Sequence, residues 1–523
     1  MDATPAQTNH QIARAAGTVM IAFFIGQLAG VAAKILMGTS FNAGVDLDAF
    51  TAANRPSEAL VIIMTGGVLV SSFIPVFVKF LVNKDQVSAW KLASSVINLV
   101  FLIMTSLAVL EVIFAYPIVK YLLASGFEAE KQVLTVQLLR IQALSIIFFG
   151  LSGIAVGILN SHQKFLFSAL APTMYNLGII FGILVLAPTM GVYGLAWGVV
   201  IGSACHFLIQ VPSILKLKGR YLATLGLRFP PVGEVFRLML PRMFGAAVVQ
   251  LMLVVNTLLA SRMPEGSVYS ISLGFTLMMM AQIAIGQAVA TAAMPTFSAQ
   301  YAQGKFDDIR RTLASSLRSV ILLSIPASAG LIMMRTPIVA FLFQHGEFTP
   351  ETTQMVAWAL AWYAVGLVFH CVLEVLVRAY YAMHDTRTPV IVGAIAMTLS
   401  IGLSLLFAGM FTRLGWQPHG GLALAVSVST ALEMTTLLIL MRKRLAGIHG
   451  RQIARGFGLA IGGSLGMALV LFYWLHQTSD HSAALITAGG VLLGGLIYTL
   501  FMFALRVPEV NELFQMVRHR LAR

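Results

Sequence analysis

Long apolar runs, each about the length that crosses a bilayer, alternate with short polar stretches along the whole chain. A hydrocarbon core about 30 Å thick takes about 20 apolar residues in helical form. Runs of that kind lie at roughly 17–37, 58–82, 92–122, 134–159, 165–187, 190–215, 236–261, 268–297, 313–344, 354–382, 388–412, 419–441, 452–475 and 482–506. The pattern predicts fourteen membrane helices, since only helices and closed barrels satisfy every backbone group in lipid. Several runs contain Pro or Gly, which membrane helices tolerate. No small-residue cleavage site follows a short core in the first run, so a retained helix is expected there rather than a removable signal.

Composition agrees with the pattern. Of 523 residues 58% are hydrophobic and only 10% charged, with a mean hydropathy of +0.87. A soluble domain is nearer a quarter charged. The formal charge of +14 would suit nucleic acid, but the arrangement of the cations argues otherwise. With the N-terminus inside, 25 of the 34 lysines and arginines fall on one face, six on the other, and Lys34, Arg140 and Arg242 within runs. This is the positive-inside bias of a multi-pass membrane protein with both termini cytoplasmic. The charge is topological, and no nucleic-acid partner is expected. Cys205 and Cys371 each lie in an apolar run without Cys/His ligand spacing around them, so they read as small buried hydrophobes.

The chain also echoes itself. GVLVSSFIPVFVKFL (67–81) resembles GQAVATAAMPTFSAQYAQGK (286–305), and ILNSHQKFLFSALAPTMYNLGIIFG (158–182) resembles YYAMHDTRTPVIVGAIAMTLSIGL (380–403). Pro75 and Pro172 stand 97 residues apart, Pro295 and Pro389 94 apart. The expected fold class is therefore an all-α polytopic membrane protein with two six-helix bundles, 1–218 and 219–446. Two additional helices and a cytoplasmic tail follow in 447–523. Six is even, so both bundles share one orientation, and a pseudo-two-fold would run along the membrane normal.

Catalytic constellations are missing from the sequence: there is no phosphate-binding loop, no G-x-S-x-G elbow and no H-E-x-x-H. No polar stretch exceeds about 25 residues, too short for an ATPase domain. The chain is read as a non-enzyme. Ionisable groups inside runs are costly and point to function. The candidates are Lys34 near the end of the first run, Arg55 and Glu58 opening the second, Glu111 in the third and Arg140 early in the fourth. Arg242 in the seventh and Glu374 with Arg378 in the tenth complete the set. Snorkelling to the interface suits Lys34, Arg55, Arg140 and Arg378 as well as a substrate role does. It suits the deeper Arg242 and Glu374 less. Glu374 and Arg378, four apart, can pair on one helix face. His206 and His370, within runs, are weaker candidates for proton relays.

Several stretches resemble the MurJ/MviN lipid II flippases of the multidrug/oligosaccharidyl-lipid/polysaccharide exporter superfamily. LDAFTAAN (47–54) matches that family's opening to the second helix. The match continues through FIPVF (73–77), GILNSHQKFLFSALAPTMYN (157–176), VNTLLAS (255–261), AAMPTFS (292–298), LFQHGEFT (342–349) and YYAMHDTRTPV (380–390). The resemblance implies transfer of undecaprenyl-pyrophosphate-linked disaccharide-pentapeptide from the inner to the outer leaflet of the bacterial inner membrane, for cell-wall synthesis. It implies a polyprenyl-linked glycolipid substrate, membrane lipids and cell-wall synthesis proteins as partners, and a groove at the last two helices for the lipid tail.

The departures from the family are specific. Proteins that resemble this one place arginines in a central cavity, where they can pair bidentately with pyrophosphate. The first such position is Gln27 here and the second is Ala33. The helix-2 pair falls on Val61 and Ile62. A D-R-x-x-E motif of helix 8 falls on Phe275, Thr276 and Met279, although Asp48 is kept. Displaced cations (Lys34, Arg55 and Arg242, helped by the polar Gln27, Gln282 and Gln287) can still hold lipid II. Alternatively the chain flips a different polyprenyl-linked glycolipid, or is a non-transporting scaffold. A multidrug exporter fits least, since the acidic residues show no paired spacing. No cofactor is expected. A monovalent cation or the membrane potential is the coupling candidate, with Asp48, Asn54 and Glu58 the oxygens nearest to a sodium site.

Three smaller features complete the reading. The glycines of MTGGVLVSS (64–72) permit close helix approach or a bend, close packing being the plainer reading. The basic linker 216–231 suits contact with anionic headgroups. VPEVNELFQMVRHRLAR (507–523) suits a short amphipathic helix at the same surface.

Overall fold

The computed structural model describes residues 5–505, leaving aside the side chains of residues 5–21, Phe23 and Met64–Gly66. The proposed amphipathic helix at 507–523 lies outside the described residues. Within them the chain is helical throughout and contains no strand. Thirteen helices are long and apolar enough to cross a membrane, and the first supplies a shorter apolar stretch, Phe24–Ser40. The expectation of an all-α polytopic membrane protein therefore holds. We name the helices α1 (Pro5–Ser40), α2 (Ala43–Val82), α3 (Gln86–Ile113), α4 (Ala129–Ser161), α5 (Phe165–Met190), α6 (Val192–Leu215) and α7 (Pro230–Ala260). The rest are α8 (Ser267–Ala302), α9 (Phe306–Met333), α10 (Pro350–Ala382), α11 (Arg387–Arg413), α12 (His419–Arg444), α13 (Gly450–Gln477) and α14 (Ala483–Ala504).

Some boundaries differ from the hydropathy reading for stated reasons. The second helix begins 15 residues before the apolar run at 58, at Ala43. Asn42 caps it by accepting from the Gly44 and Val45 amides at 2.8 and 3.1 Å. LDAFTAAN thus lies inside the helix, and Arg55 and Glu58 sit well into it rather than at its opening. The run 92–122 breaks at Phe114 into α3 and short pieces at Ala115–Pro117 and Ile118–Leu123. The run 313–344 breaks at Met334, before a separate helix Arg335–Phe343. Pro117 and Pro337 mark both breaks, since proline cannot donate the backbone bond that would continue the preceding helix. In MTGGVLVSS the backbone turns through a π-helical stretch at Thr65–Leu69, and Gly67 has φ +87° with nothing within 4 Å of a built Cβ. The conformation there, not close packing, is what requires glycine.

The chain forms two compact units, residues 1–268 with 346–348, and residues 269–345 with 349–523. In the first, α7 packs on α2 and α3. Its core gathers Phe73, Phe77, Trp90, Leu92, Val96 and Met104. Helices α5 and α6 meet almost backbone to backbone. A Cβ built on Gly178 would stand 2.2 Å from the Gly202 Cα, and one on Gly182 2.5 Å from the Gly198 Cα. Lipid tails are as apolar as leucine, so membrane helices gain cohesion from such small-residue contacts. The basic linker is fastened to α3: the Asn98 amide donates to the Leu222 and Thr224 carbonyls at 3.1 and 2.8 Å, and the Leu222 amide donates to the Ser94 hydroxyl at 3.0 Å.

In the second unit α10 packs on α12 and α9. Trp358, Trp362, Phe411 and Trp416 form an aromatic knot at one end. The HDTRTP loop between α10 and α11 is held by Asp385. Its carboxylate accepts from the Thr388 amide at 3.0 Å, the Thr388 hydroxyl at 2.9 Å and Arg444 at 2.5 Å. Partial burial pushes this carboxyl up, but those donors outweigh it and hold it below the usual carboxylate range.

Two outcomes follow for stability in detergent. Gly202→Val drives a side chain into the Tyr175 carbonyl, 2.4 Å from the built Cβ, while Gly466→Val meets nothing within 4 Å. The first is expected to cost about 1–3 kcal/mol more than the second, read as the difference in thermal midpoint. A group with a depressed folded pKa stabilises fully above its unfolded value and loses this as pH falls through the folded one. Asp385→Asn is therefore expected to lower stability by about 1–2 kcal/mol at neutral pH, unchanged between pH 7 and pH 5. The gap should close only below about pH 4; a gap closing near pH 6 would show that another group is responsible.

Candidate functional site

Two polar assemblies lie within the first unit, both anchored on α2. The earlier one along the helix is a buried latch. Asp48, in the first α-helical turn, accepts from the Lys131 ammonium at 3.0 Å and from the Gly266 amide at 2.8 Å. Both side chains of the pair are nearly inaccessible, at 2% and 6% exposure. Lys131 also stands 4.1 Å from the Phe127 ring centroid and 3.8 Å from the Glu265 carboxylate. The latch ties the start of α2 to the start of α4 and to the turn that follows α7. A buried pair is favourable only when further hydrogen bonds satisfy the remaining lone pairs; the Gly266 amide is one of them.

Seven residues on, about 10 Å along the helix, the balance of charge changes. Arg55 donates through Nε to the Thr257 hydroxyl of α7 at 3.2 Å and through NH1 to the Glu58 carboxylate at 3.1 Å. Its side chain is 13% exposed and that of Glu58 40%. Lys34, half-buried on α1, lies close enough to interact electrostatically with both Glu58 and Arg55. Glu58 also acts on Tyr175 of α5. The group brings two basic side chains and one carboxylate together in a setting that is mostly protein. One turn away, the Ser57 hydroxyl donates to Glu111 of α3 at 3.1 Å, and Glu111 is buried.

The other sequence candidates are placed separately. Arg242 is exposed and donates to the Ser71 and Ser72 hydroxyls at 2.7 and 3.3 Å. Ser71 is 16 residues beyond Arg55 on α2, past the π-helical stretch at Thr65–Leu69, so Arg242 is held at a different part of that helix. Arg140 is exposed, with only a 3.4 Å contact to the Val112 carbonyl. Gln27 is exposed on α1. In the second unit Gln282 is buried on α8, and Arg378 Nε lies 3.8 Å from the Glu374 carboxylate on α10. His206 bonds Ser152 at 2.6 Å, and His370 meets Thr430 at 3.4 Å. Neither cysteine is in a disulfide, and Cys371 is buried.

Sequence reasoning had no means of finding Thr257 or Gly266, which act through tertiary contact. Lys131 entered that reading only as one of the six cations on the less basic face. The same reading passed over Glu433, a buried carboxyl on α12, whose place inside an apolar run was itself the signal. On α8 the Phe275 ring stands edge-on to Tyr363, centroids 5.3 Å apart, and the Thr276 hydroxyl donates to the Ser272 carbonyl of its own helix at 2.9 Å. Asp48 and Glu58 each already have a cationic partner. Among the described residues no group of three His, Cys, Asp or Glu is placed to hold a metal ion. The geometry therefore suits an anion at Lys34 and Arg55 better than a cation at Asp48, Asn54 and Glu58.

For the latch, Lys131→Met is expected to cost about 3–5 kcal/mol, since it leaves a buried carboxylate without its cation. Adding Asp48→Asn should recover much of that loss. A double-mutant cycle on thermal unfolding in detergent measures the coupling; additive losses would show that the two side chains do not act as a pair.

Comparison with known proteins agrees with this architecture. The sequence model of a family described as "Lipid II flippase MurJ" matches residues 37–483. The lipid II flippase MurJ of Burkholderia cenocepacia is 30% identical over 474 residues, covering 88% of this chain and 89% of that one. A probable lipid II flippase MurJ of Vibrio cholerae is 28% identical over 486 residues, 91% of this chain and 87% of its own. A solved lipid II flippase MurJ in an inward closed conformation superposes with a TM-score of 0.79 at 26% identity, covering 92% of this chain and 97% of that one. A multidrug resistance MATE family transporter in an inward-facing conformation reaches 0.68 at 15% identity over 80% of this chain and 94% of its own, a likeness of fold alone. The chain is a multi-pass membrane protein that belongs to the lipid II flippase MurJ family.

Proposed function

We propose that this chain transfers lipid II, the undecaprenyl-pyrophosphate-linked peptidoglycan precursor, from the inner to the outer leaflet of the bacterial inner membrane by alternating access. It acts as a transporter, not an enzyme. The observation that carries the proposal is the convergence of Lys34, Arg55 and Glu58 in a chain of this family. The doubly esterified pyrophosphate of lipid II is a dianion, and a guanidinium offers it a planar pair of donors. Here Arg55 is already oriented by Thr257, so little side-chain freedom is lost on binding. Glu58, the more exposed partner, can be displaced from Arg55 by a stronger anion. The bias of lysine and arginine towards one face supports cytoplasmic termini. The matched Pro spacing supports a repeat division at 1–218 and 219–446, with 447–523 as an addition. Membrane potential is the driver this reading assigns, since one elementary charge across 100 mV is worth about 2.3 kcal/mol. Cell-wall synthesis proteins are the partners it implies.

The test is replacement of the resident lipid II flippase in depleted bacteria, with outer-leaflet lipid II read by a membrane-impermeant probe. The wild-type chain is expected to restore growth and outward lipid II. Lys34→Ala and Arg55→Ala should each lower the rate roughly 10- to 100-fold, the worth of a hydrogen bond to a charged group. Arg55→Lys should recover little, because the bidentate fork is lost; Arg140→Ala should change nothing. Wild-type chain that is abundant and inserted yet gives no outward lipid II would sink the assignment, in favour of another glycolipid or a scaffold. Full transport by both alanine variants would remove the proposed grip.

A further inference from the structure

The second unit contains a cleft of about 740 Å³ walled by α9, α10, α12 and α13. Its wall includes Ile321, Val372, Met434 and Leu438. Its mouth is flanked by Ile439 and Phe457, 50% and 46% exposed on faces of membrane helices. One end is different in kind. There Arg442 from the last turn of α12 and Arg451 from the first turn of α13 line the same cleft, with His449 between them in sequence. The turn that brings them together is tight: Ala446, Gly447 and His449 all have positive φ. No acidic residue lines the cleft. Among the described residues neither arginine forms an ion pair, whereas the neighbouring Arg444 is taken by Asp385.

A soluble anion would use the arginines and leave the apolar wall in contact with nothing suited to it. A neutral apolar molecule would use the wall and leave two cations without a counter-charge. An amphiphile with a phosphate at one end satisfies both. The face on which these arginines lie is also the face richest in lysine and arginine, where anionic headgroups concentrate around cationic side chains. We propose that this cleft holds one resident anionic diacyl phospholipid, with its phosphate at Arg442 and Arg451 and an acyl chain along the apolar wall. The site is distinct from the Lys34–Arg55 assembly, which belongs to the first unit, and the inference does not depend on the transport reading.

The experiment is native mass spectrometry of the full chain in detergent with equimolar phosphatidylglycerol and phosphatidylethanolamine. The expected result is one phosphatidylglycerol retained per chain in preference to phosphatidylethanolamine. Arg442→Gln and Arg451→Gln should each weaken retention about fivefold, the worth of one cation near an anionic headgroup. Phe457→Ser, an exposed position whose change leaves folding intact, should weaken retention of both lipids by removing apolar wall. Equal retention of the two lipids by the wild type, or unchanged retention in the arginine variants, would overturn the proposal. Displacement by millimolar inorganic phosphate would reassign the site to a free anion. One-for-one displacement by equimolar undecaprenyl phosphate would reassign it to the tail of a polyprenyl substrate.

Discussion

In hydrocarbon there is no water to pair with a backbone amide or carbonyl, and each one left unpaired costs several kcal/mol. Everything else in this protein follows from that constraint. Every crossing segment closes its own backbone bonds, so every element between Pro5 and Ala504 is a helix. Where α3 and α9 stop, the stop is short, as at Phe114 and Met334, whose amides still bond back to Leu110 and Gly330. Once the backbone is closed, burying apolar side chains against each other gains little over lipid. The close approach of α5 and α6 through facing glycines supplies dispersion contact that bulky residues would forbid.

The same medium decides how charge is used. A buried cation and anion cannot be left separate, and the two assemblies on α2 show two answers. Asp48 and Lys131 cancel, shut away from solvent and completed by the Gly266 amide; this is a structural clasp. Lys34, Arg55 and Glu58 set two basic groups against one acid, and Glu58 stays partly exposed. Retaining a net charge inside a membrane helix bundle costs stability, and such costs are usually associated with function. Apolar positions elsewhere show the converse. Phe275 stands against Tyr363, so that part of α8 is stabilised by ring packing and needs no counter-ion.

Much of the architecture was legible in the amino-acid order. The apolar runs gave the number and rough place of the helices, because bilayer thickness fixes length and lipid forbids charge. The spaced motifs from LDAFTAAN to YYAMHDTRTPV gave the family. Helix ends were less legible: hydropathy cannot see that Asn42 caps α2 well ahead of its apolar run, or that a proline divides one run into two helices. The Glu374–Arg378 contact was readable because it is local, four residues apart on one helix. Asp48 with Lys131, 83 residues apart, was not, since nothing in local pattern says which distant cation an acid will meet.

The sequence by itself thus determined membrane class, helix number, charge asymmetry and kinship, all properties that depend on composition and period along one chain direction. Only the tertiary structure decided which ionisable groups are neutralised and which keep a charge. It grouped Lys34 with Arg55 and Glu58, sent Asp48 to Lys131, and set Arg242 beside Ser71, 16 residues along α2 from Arg55. The reason is physical: the electrostatic worth of a charge inside a bundle depends on partners within a few ångströms, and those partners come from helices far apart in sequence.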